Sequence, residues 1–349
     1  MTDPTSQVIG GVDTHGDFHV VAAIDGLGRP IDVESFAANR DGYRQAIRWL
    51  QGHGQLDRGG VEGTSSYGLG LCRHLHAAGI EVIEVTRPNR QVRRMKGKSD
   101  PTDALAAARA VLSGEADVPA KMHNGTIEAI RALRIPRRSA ATERTRVINQ
   151  IHSLVHTAPD TLRAELDPLS NTQLVERCSR LRPGTDPTDP MSATKTALRH
   201  LARRHQALEV ELADLDRQLR TCVNQAAPPE LLEMTGVGVE VASILLVAVG
   251  DNPHRLRSES SFAALCGVSP LDASSGRQRR HRLNRGGDRH ANYALWRIAL
   301  CRLRHDPDTR AYYQRRQNEG LTKREAIRCL KRHLARHVHR HLKTVIDAP

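Results

Sequence analysis

The chain has 349 residues, of which 39% are hydrophobic and 26% charged, a balance that excludes a disordered protein and allows two or three domains with cores of their own. Aromatic residues make up only 3%, which argues against binding single-stranded nucleic acid by extended base stacking. The formal net charge is +13, and residues 277–349 alone carry 20 Lys and Arg against 6 Asp and Glu. Such a basic segment favours a nucleic-acid partner. The alternative is a solvated surface that only aids solubility.

The six cysteines are widely spaced in the sequence, which predicts reduced thiols rather than zinc ligands or a disulfide framework. The first seven residues lack the basic and apolar regions of a signal peptide. The longest apolar run, Val241–Val249, is too short to cross a bilayer. We therefore expect a cytoplasmic protein with no membrane partner, associated with the nucleoid when it acts.

The sequence pattern of residues 1–120 predicts a mixed α/β domain. Stretches rich in Val and Ile alternate with turn signals and helical patterns. Three hairpin-like strands followed by alternating helices and strands is the order of an RNase H-like, or RuvC-like, fold. The predicted elements are strands at 7–13, 18–25 and 31–36, a helix at 41–51, a strand ending at 62, a helix at 66–78 and a strand at 80–85.

Four acidic residues occupy positions in this domain that suit a metal-dependent nuclease. Asp13 ends one apolar run and Glu62 closes another, while Asp100 and Asp103 share one face at the start of an Ala-rich helix. Carboxylate oxygens gathered in this way suit Mg²⁺ or Mn²⁺, and two such ions can hold the attacking and leaving oxygens of a phosphodiester. Each residue alone also fits a turn, a surface charge or a helix start. Their combination on these elements favours a metal site.

The sequence pattern of residues 121–226 predicts a helical coiled-coil or oligomerisation region. Apolar positions between 194 and 224 recur in alternating steps of three and four, which is typical of a coiled-coil seam. His205 is the polar position of this seam, and we interpret it as setting the register rather than binding metal. The helix around residues 147–155 is a candidate antiparallel partner. The seam pairs either within the chain or between chains.

The composition and sequence pattern of residues 227–349 predict a basic helical domain. The segment Leu231–Gly238 and the apolar helix after it resemble a helix-hairpin-helix element, in which two glycines allow a tight turn whose backbone N–H groups meet a phosphate. An ordinary glycine-containing helix junction is an equal alternative. Tyr293 and Trp296 are expected to pack between helices or in a core rather than to stack on bases.

Seven short runs, taken together, resemble a known family. In this order they look like the DEDD transposases of bacterial insertion sequences, and in particular the family that pairs a RuvC-like domain with a C-terminal serine domain. The resemblance covers nearly the whole chain, and the set of runs carries it rather than any one of them. The runs are Gly11–His15, Val61–Gly68, Lys98–Ala104, Thr235–Gly238, Phe262–Pro270, Ser274–Gly276 and Asn284–Asp288.

The resemblance implies an RNA-guided DNA recombinase. A structured guide RNA, often called a bridge RNA, would pair with both donor and target double-stranded DNA. Strands would be cut and rejoined with two Mg²⁺ or Mn²⁺ ions and a serine nucleophile, through a covalent phosphoserine intermediate. The implied metal ligands and catalytic carboxylates are Asp13, Glu62, Asp100 and Asp103.

The implied nucleophile is Ser275, because the family's serine stands just before a glycine and five residues after a proline. Ser274 is the second choice and Ser269 a more distant third; on composition alone, Ser274–Gly276 reads as a flexible turn. The arginines that follow could stabilise charge on phosphoryl oxygens. The residues assigned to nucleic-acid binding are Gly236, Gly238, Arg277, Arg279, Arg280, Arg282 and Arg285.

The carboxylates and the serine lie far apart in sequence, so we expect the working site to be assembled between domains, with contributions from different protomers of a dimer or tetramer. Two alternatives stay open at this stage. One is a metal-dependent junction resolvase or nuclease that uses water as its nucleophile. The other is a non-catalytic nucleic-acid-binding protein with a decayed nuclease fold.

Overall fold

A five-stranded mixed sheet occupies the first part of the chain, and helices make up most of the rest. The structure, a computed structural model, describes residues 7–85, 99–252, 256, 258–272, 281–284 and 286–346, with side chains as far as residue 342. The strands are β1 Gln7–Thr14, β2 Phe18–Asp25, β3 Pro30–Ala37, β4 Gln55–Glu62, β5 Glu81–Val85, β6 Leu271–Asp272 and β7 His281–Arg282. The helices are α1 Arg40–Gly52, α2 Leu69–Ala77, α3 Asp100–Leu112, α4 Thr126–His156, α5 Asp160–Leu166, α6 Asn171–Ser179, α7 Pro190–Ala226, α8 Pro229–Glu233, α9 Val239–Val249, α10 Glu259–Leu265, α11 Arg289–His305, α12 Pro307–Asn318 and α13 Lys323–Ile346.

The sheet has the order β3-β2-β1-β4-β5. The first three strands form an antiparallel meander, and β4 and β5 add to β1 in parallel. Asp25 closes the turn between β2 and β3 by accepting hydrogen bonds from the backbone N–H groups of Leu27 and Arg29. The predicted α/β first part and helical C-terminal part are confirmed at this level, and the strand order is compatible with an RNase H-like domain.

The two faces of β1 pack against different helices, because successive side chains of a strand point to opposite sides. Val8 and Val12 belong to a core shared with α1 and α2. Ile9 belongs to a second core, which includes Ala107 and Ala108 of α3. This alternation places the odd-numbered positions of β1 beneath α3.

Helix α3 lies unusually close to the sheet, because glycines face it from two neighbouring strands. A Cβ atom at Gly11 would lie 2.1 Å from the carbonyl oxygen of Ala104 and 2.4 Å from the backbone nitrogen of Ala108. A Cβ atom at Gly60 would lie 2.7 Å from the carbonyl oxygen of Ala107. Only glycine on the strands and alanine on the helix permit this separation.

The described residues divide into two compact units by their contacts. One contains residues 1–128 and 227–349, and the other contains residues 129–226. Segments 1–120 and 227–349, predicted as separate domains, therefore lie in the same unit. The boundaries near residues 120 and 226 stay predictions.

Hydrogen bonds join the N-terminal and C-terminal parts of the first unit. The Asn252 side chain donates to the carbonyl oxygen of Ala120 over 2.8 Å, and Lys121 Nζ donates to that of Val247 over 2.8 Å. The Asp251 carboxylate accepts the backbone N–H of Ile127, in the first turn of α4, at 3.0 Å. The segment between α3 and α4 is thus held against the end of α9.

The second unit is helical and has its own core. Val147, Ile151 and Val155 of α4 share that core with Leu198 and Ala202 of α7. Further along, Nε of Arg137 on α4 lies 2.7 Å from Oδ1 of Asp216 on α7. The predicted seam therefore packs against the predicted partner helix within the chain.

Among the described residues, no helix combines the length and apolar character needed to cross a bilayer. All six cysteines are free thiols, as the sequence predicted. Burial raises the pKa of Cys72 to about 12 and that of Cys178 to about 11, so both thiols stay protonated near neutral pH.

Replacing Gly11 by Ala should lower the free energy of unfolding by roughly 1–3 kcal/mol or more, because its Cβ would meet the backbone of α3. Gly52→Ala is the matched control, since Gly52 ends α1 and faces open space. It should leave stability unchanged or slightly raised. Denaturant unfolding of the full chain measures both. Equal stability of the two variants would contradict the close-packing argument.

His205 should make the second unit sensitive to acid. Burial lowers its pKa below the ordinary 6.5, with a contribution from the positive charge of Arg144 and opposition from Glu209. Because folding lowers the pKa of this histidine, the unfolded state binds the proton more readily than the folded state. The free energy of unfolding is therefore unaffected by titration of this residue above pH 6.5 and falls as the pH drops below 6.5. His205→Leu should therefore raise the melting temperature more at pH 5.5 than at pH 8.

The matched control for this prediction is His200→Leu, at an exposed position of the same helix. This control variant should not raise the melting temperature more at one of the two pH values than at the other. Thermal unfolding followed by circular dichroism at the two pH values is the measurement. A His205→Leu gain of equal size at both pH values would show that titration of this residue has no part in the effect.

Candidate metal centre and nucleic-acid interface

Asp13 and Glu62 lie side by side at the ends of two parallel strands. The last paired residues of β1 and β4 are Val12 and Val61, so the two acids are the next residues of adjacent strands and face the same side of the sheet. Both are largely buried, each 8% exposed. Thr14 fixes this edge, because its hydroxyl donates to the carbonyl oxygen of Glu62 over 3.0 Å.

The first turn of α3 supplies the other two acids. Ser99 is the N-cap residue, and Pro101 stands in the first turn, where its missing N–H has no consequence. Asp103 is buried and Asp100 is half-buried. Because Gly11 and Gly60 let α3 approach the sheet closely, this turn lies over the strand ends that carry Asp13 and Glu62.

His15 is a site residue that the sequence reasoning missed. Its Nε2 atom lies 3.2 Å from Oδ2 of Asp13 and 3.5 Å from Oδ2 of Asp100. The ring is stacked on Phe18, with ring centroids 5.0 Å apart. Its position two residues after Asp13, just beyond the strand end, was a usable signal, because alternate residues of an extended chain share a face.

The ligand atoms of Asp13, His15 and Asp100 all lie within 4.8 Å of one another. The other two predicted ligands, Glu62 and Asp103, do not belong to this three-residue group. Glu62 adjoins Asp13 through the strand register, and the charge of Asp103 acts on Asp13. The structure thus brings Asp13 and Asp100 into direct proximity and places the remaining two carboxylates beside them.

Electrostatics make this cluster unfavourable without a cation. Burial raises the pKa of Asp13 above its ordinary value; the neighbouring His15 opposes the rise, and the negative charges of Asp103 and Asp100 add to it. A buried carboxylate whose pKa is raised costs stability when it ionises. A divalent ion would reverse that cost by replacing repulsion with attraction.

The donor set fits a hard or borderline divalent ion. Carboxylate oxygens suit both Mg²⁺ and Mn²⁺, and an imidazole nitrogen is accepted more readily by Mn²⁺. Ligands of one such ion, bound at about 2.1 Å, stand no more than roughly 4 Å apart across it, close to the spacing found between Asp13, His15 and Asp100.

Several predicted nucleic-acid and catalytic positions lie outside the described residues: Ser274, Ser275, Arg277, Arg279, Arg280 and Arg285. The strands that flank this segment are described. Leu271 pairs with Arg282 and Asp272 with His281 in a short antiparallel ladder, and Arg282 is exposed. Ser269 is described and half-buried, just before this ladder.

Two glycines with positive φ flank this segment in the sequence and lie against each other. Gly267 has φ +62° and Gly287 has φ +82°. A Cβ atom at Gly287 would lie 2.5 Å from the backbone nitrogen of Gly267, so the two backbones touch. The Asn292 side chain, itself held by Lys331, donates to the carbonyl oxygen of Gly267 over 3.2 Å. Gly267 and Gly287 thus lie against each other, one on either side of this segment in the sequence.

The two glycines of the predicted helix-hairpin-helix element lie in different surroundings. Gly236 has φ +91°, and a Cβ atom there would meet the backbone of Ile298 on α11 at 3.2 Å. Its lack of a side chain is therefore explained by turn geometry and close packing. Gly238 is the N-cap of α9 and faces open space, a position from which backbone N–H groups could reach a phosphate.

Many of the basic residues of the last part lie on three helices that pack together, α11, α12 and α13. Arg289, Arg297 and Arg304 of α11 are exposed. On the same helix Tyr293 and Trp296 stack with ring centroids 5.6 Å apart and are 45% and 37% exposed. A core position for these two rings, one of the two that we expected, is therefore wrong.

Comparison with known proteins gives the family. Residues 10–158 match a DEDD transposase model of the IS110 type, described as "Transposase", and residues 229–314 match the model "Transposase IS116/IS110/IS902 family". The two matches follow each other along the chain and include the carboxylate cluster and the helices beyond it. The chain belongs to this family of transposases.

Two curated relatives agree with the family assignment. The chain is 30% identical over 148 residues to the "Insertion element IS900 uncharacterized 42 kDa protein" of Mycobacterium paratuberculosis. It is 33% identical over 151 residues to the "Insertion element IS110 uncharacterized 43.6 kDa protein" of Streptomyces coelicolor. Each match covers 42% of this chain and spans 37% and 35% of the two relatives, respectively.

Millimolar Mg²⁺ or Mn²⁺ should raise the melting temperature of the full chain, since an ion that binds only the folded state stabilises it by about 2.7 kcal/mol at 100 times its Kd. Asp13→Asn should abolish this shift. It should also raise the melting temperature without metal at pH 7, because the variant removes a carboxylate whose ionisation opposes folding. Differential scanning fluorimetry measures both effects.

Asp57→Asn is the control, because Asp57 is an exposed acid on the same strand as Glu62. It should keep the full metal-induced shift. A shift in the Asp13→Asn variant as large as that of the unaltered chain would mean that the ions bind elsewhere.

Proposed function

We propose that this protein is a DNA transposase that cuts and rejoins phosphodiester strands under the direction of a guide RNA. The observation that carries the proposal is the convergence of Asp13 and Asp100 on His15, at the edge of a sheet with this strand order, in a chain of this family. A carboxylate cluster against a rigid sheet suits phosphoryl transfer, in which the protein's task is to position groups and balance charge.

The carboxylates of Asp13, Glu62, Asp100 and Asp103 would hold Mg²⁺ or Mn²⁺, with two ions as the proposed number. When bound, such ions offset the charge on the attacking and leaving oxygens of the phosphodiester. Asp13 and Glu62 are fixed by the strand ladder and the two aspartates by the start of α3, so the ligands change little on binding. His15 orients the facing carboxylates of Asp13 and Asp100.

The proposed nucleophile is Ser275, with Ser274 as the second choice. Attack by a serine hydroxyl on a DNA phosphate would form an ester bond between serine and phosphate and release one sugar hydroxyl. The phosphodiester energy is retained in that bond, so a hydroxyl of the partner strand can restore the DNA backbone. The proposed charge-stabilising groups are Arg277, Arg279 and Arg280, which follow the serine in sequence.

The basic helices would bind the backbones of donor DNA, target DNA and guide RNA. Support comes from the charge of residues 277–349 and from the exposed arginines on α11. Arg282 and the N-terminus of α9 at Gly238 are further proposed phosphate contacts. The proposed working assembly is a dimer or tetramer in which carboxylates and serine come from different protomers.

Covalent trapping tests the chemistry. The full chain, copurified with its RNA and incubated with DNA that carries the ends of its insertion sequence, should form a DNA–protein adduct that survives denaturation. Peptide mapping should find DNA on the peptide that carries Ser274 and Ser275, and Ser275→Ala should reduce the DNA on that peptide at least about 100-fold. Cleavage without any adduct would favour water as the nucleophile and overturn the serine step.

Sequencing of the copurified RNA tests guidance by RNA. It should give one discrete species from the flank of the element; a random mixture of cellular RNA would contradict guidance.

A mixture of two inactive variants tests assembly of the site from different protomers. Mixing Asp13→Asn chains with Ser275→Ala chains should restore part of the strand exchange that neither performs alone. Mixed oligomers that stay inactive would contradict assembly of the site from different protomers.

A further inference from the structure

Ser65, His123 and Glu128 form a hydrogen-bonded chain of three groups beside the carboxylate cluster. The Ser65 Oγ atom lies 3.0 Å from Nε2 of His123. The other ring nitrogen, Nδ1, lies 2.8 Å from Oε2 of Glu128. A hydroxyl, an imidazole and a carboxylate connected in this order are the groups of an activated serine nucleophile, recognised by geometry rather than by sequence position.

The burial of the three groups matches those roles. Ser65 is exposed, so its hydroxyl is accessible to a substrate. His123 is only 4% exposed, and the Glu128 side chain is 18% exposed, so water competes little for the bond between them. The base is thus shielded while the nucleophile is open.

His123 is held in an unfavourable backbone conformation. Its φ of +51° is the only positive value among the non-glycine residues that the structure describes. Its carbonyl oxygen accepts a hydrogen bond from Arg73 Nη2 at 2.8 Å, and the neighbouring Met122 N–H donates to the Asn252 side chain over 3.3 Å. Such local strain is kept where surrounding contacts fix it, and it is concentrated at functional sites.

Ser65 also lies near the proposed metal ligands. It follows Glu62 by three residues, so the two Cα atoms are no more than about 11 Å apart. The turn that carries Ser65 lies against the end of β1, since a Cβ atom at Gly63 would meet the Thr14 hydroxyl at 3.0 Å and one at Gly16 would meet the Tyr67 ring at 3.6 Å. The exposed hydroxyl and the carboxylate cluster therefore belong to one edge of the sheet.

We propose that Ser65 is a second activated serine of this protein, which attacks phosphodiesters bound at the carboxylate edge. In this step the bond from Oγ to phosphorus forms and the bond from phosphorus to one sugar oxygen breaks. The proton of Ser65 passes to Nε2 of His123 and then to the departing sugar oxygen, while Glu128 stabilises the imidazolium. Attack by a strand's hydroxyl reverses the step. The substrate class rests on the proposed function, whereas the activation of Ser65 rests on its own geometry.

A fluorophosphonate probe tests the activation directly, because it is a phosphoryl electrophile and needs neither DNA nor metal. The full chain should be labelled at Ser65, identified by peptide mass spectrometry. His123→Asn should slow labelling by about 100-fold, the usual contribution of a general base. Asparagine tolerates the left-handed backbone at this position, so the variant keeps the fold. Glu128→Gln should slow labelling to a smaller extent.

Ser66→Ala is the matched control. Ser66 is the adjacent exposed serine, and its hydroxyl donates to the carbonyl oxygen of Gly63 at 3.1 Å instead of meeting a histidine. Its loss should leave labelling unchanged, whereas Ser65→Ala should abolish it. Labelling of Ser65 at the rate of Ser66, or undiminished labelling in a folded His123→Asn variant, would overturn the proposal and leave the network a structural support of the turn.

The probe also separates this inference from the proposed function. A chain that takes the probe at Ser65 but never rearranges DNA would contradict the transposase chemistry and keep the activated serine. A chain that rearranges DNA while Ser65 stays unreactive would contradict the activated serine alone.

Discussion

The approach of α3 to the sheet, permitted by Gly11 and Gly60, is the constraint on which the carboxylate cluster depends. A helix separated from a sheet by ordinary side chains would carry Asp100 and Asp103 away from the strand ends. Because no Cβ atom separates the backbones, the first turn of α3 lies over Asp13 and Glu62. The small residues of the helix, Ala104 and Ala107 among them, are as necessary as the glycines.

The close approach of α3 gives tight packing against the sheet, but it also brings acidic side chains together and disfavours the ionised form of Asp13. Burial and neighbouring aspartates raise the pKa of Asp13, so the fold without a cation carries an electrostatic cost. His15 offsets part of it by lying between Asp13 and Asp100. The core beneath holds this cluster in place, and a bound divalent ion would stabilise it, which would couple metal affinity to folding.

The segment between α3 and α4, together with the first turn of α4, connects the carboxylate edge to the end of α9. Ala120, Lys121 and Ile127 are bonded to residues 247–252 at the end of α9. His123 belongs to the same segment and reaches Ser65 on the turn that follows Glu62. Both halves of this unit therefore contact the same short stretch of chain.

The sequence by itself determined the order of strands and helices in residues 1–120, the positions of the acidic residues, the basic C-terminal segment and the family, because periodicity, turn residues and motifs are local properties. It predicted that Asp13, Glu62, Asp100 and Asp103 belong to one site, from their combination on these strands and this helix start. Only the tertiary structure decided that His15 lies between them, that His123 meets Ser65, and that Tyr293 and Trp296 are exposed. These depend on which surfaces pack together, and contacts between residues distant in sequence leave no local pattern to read.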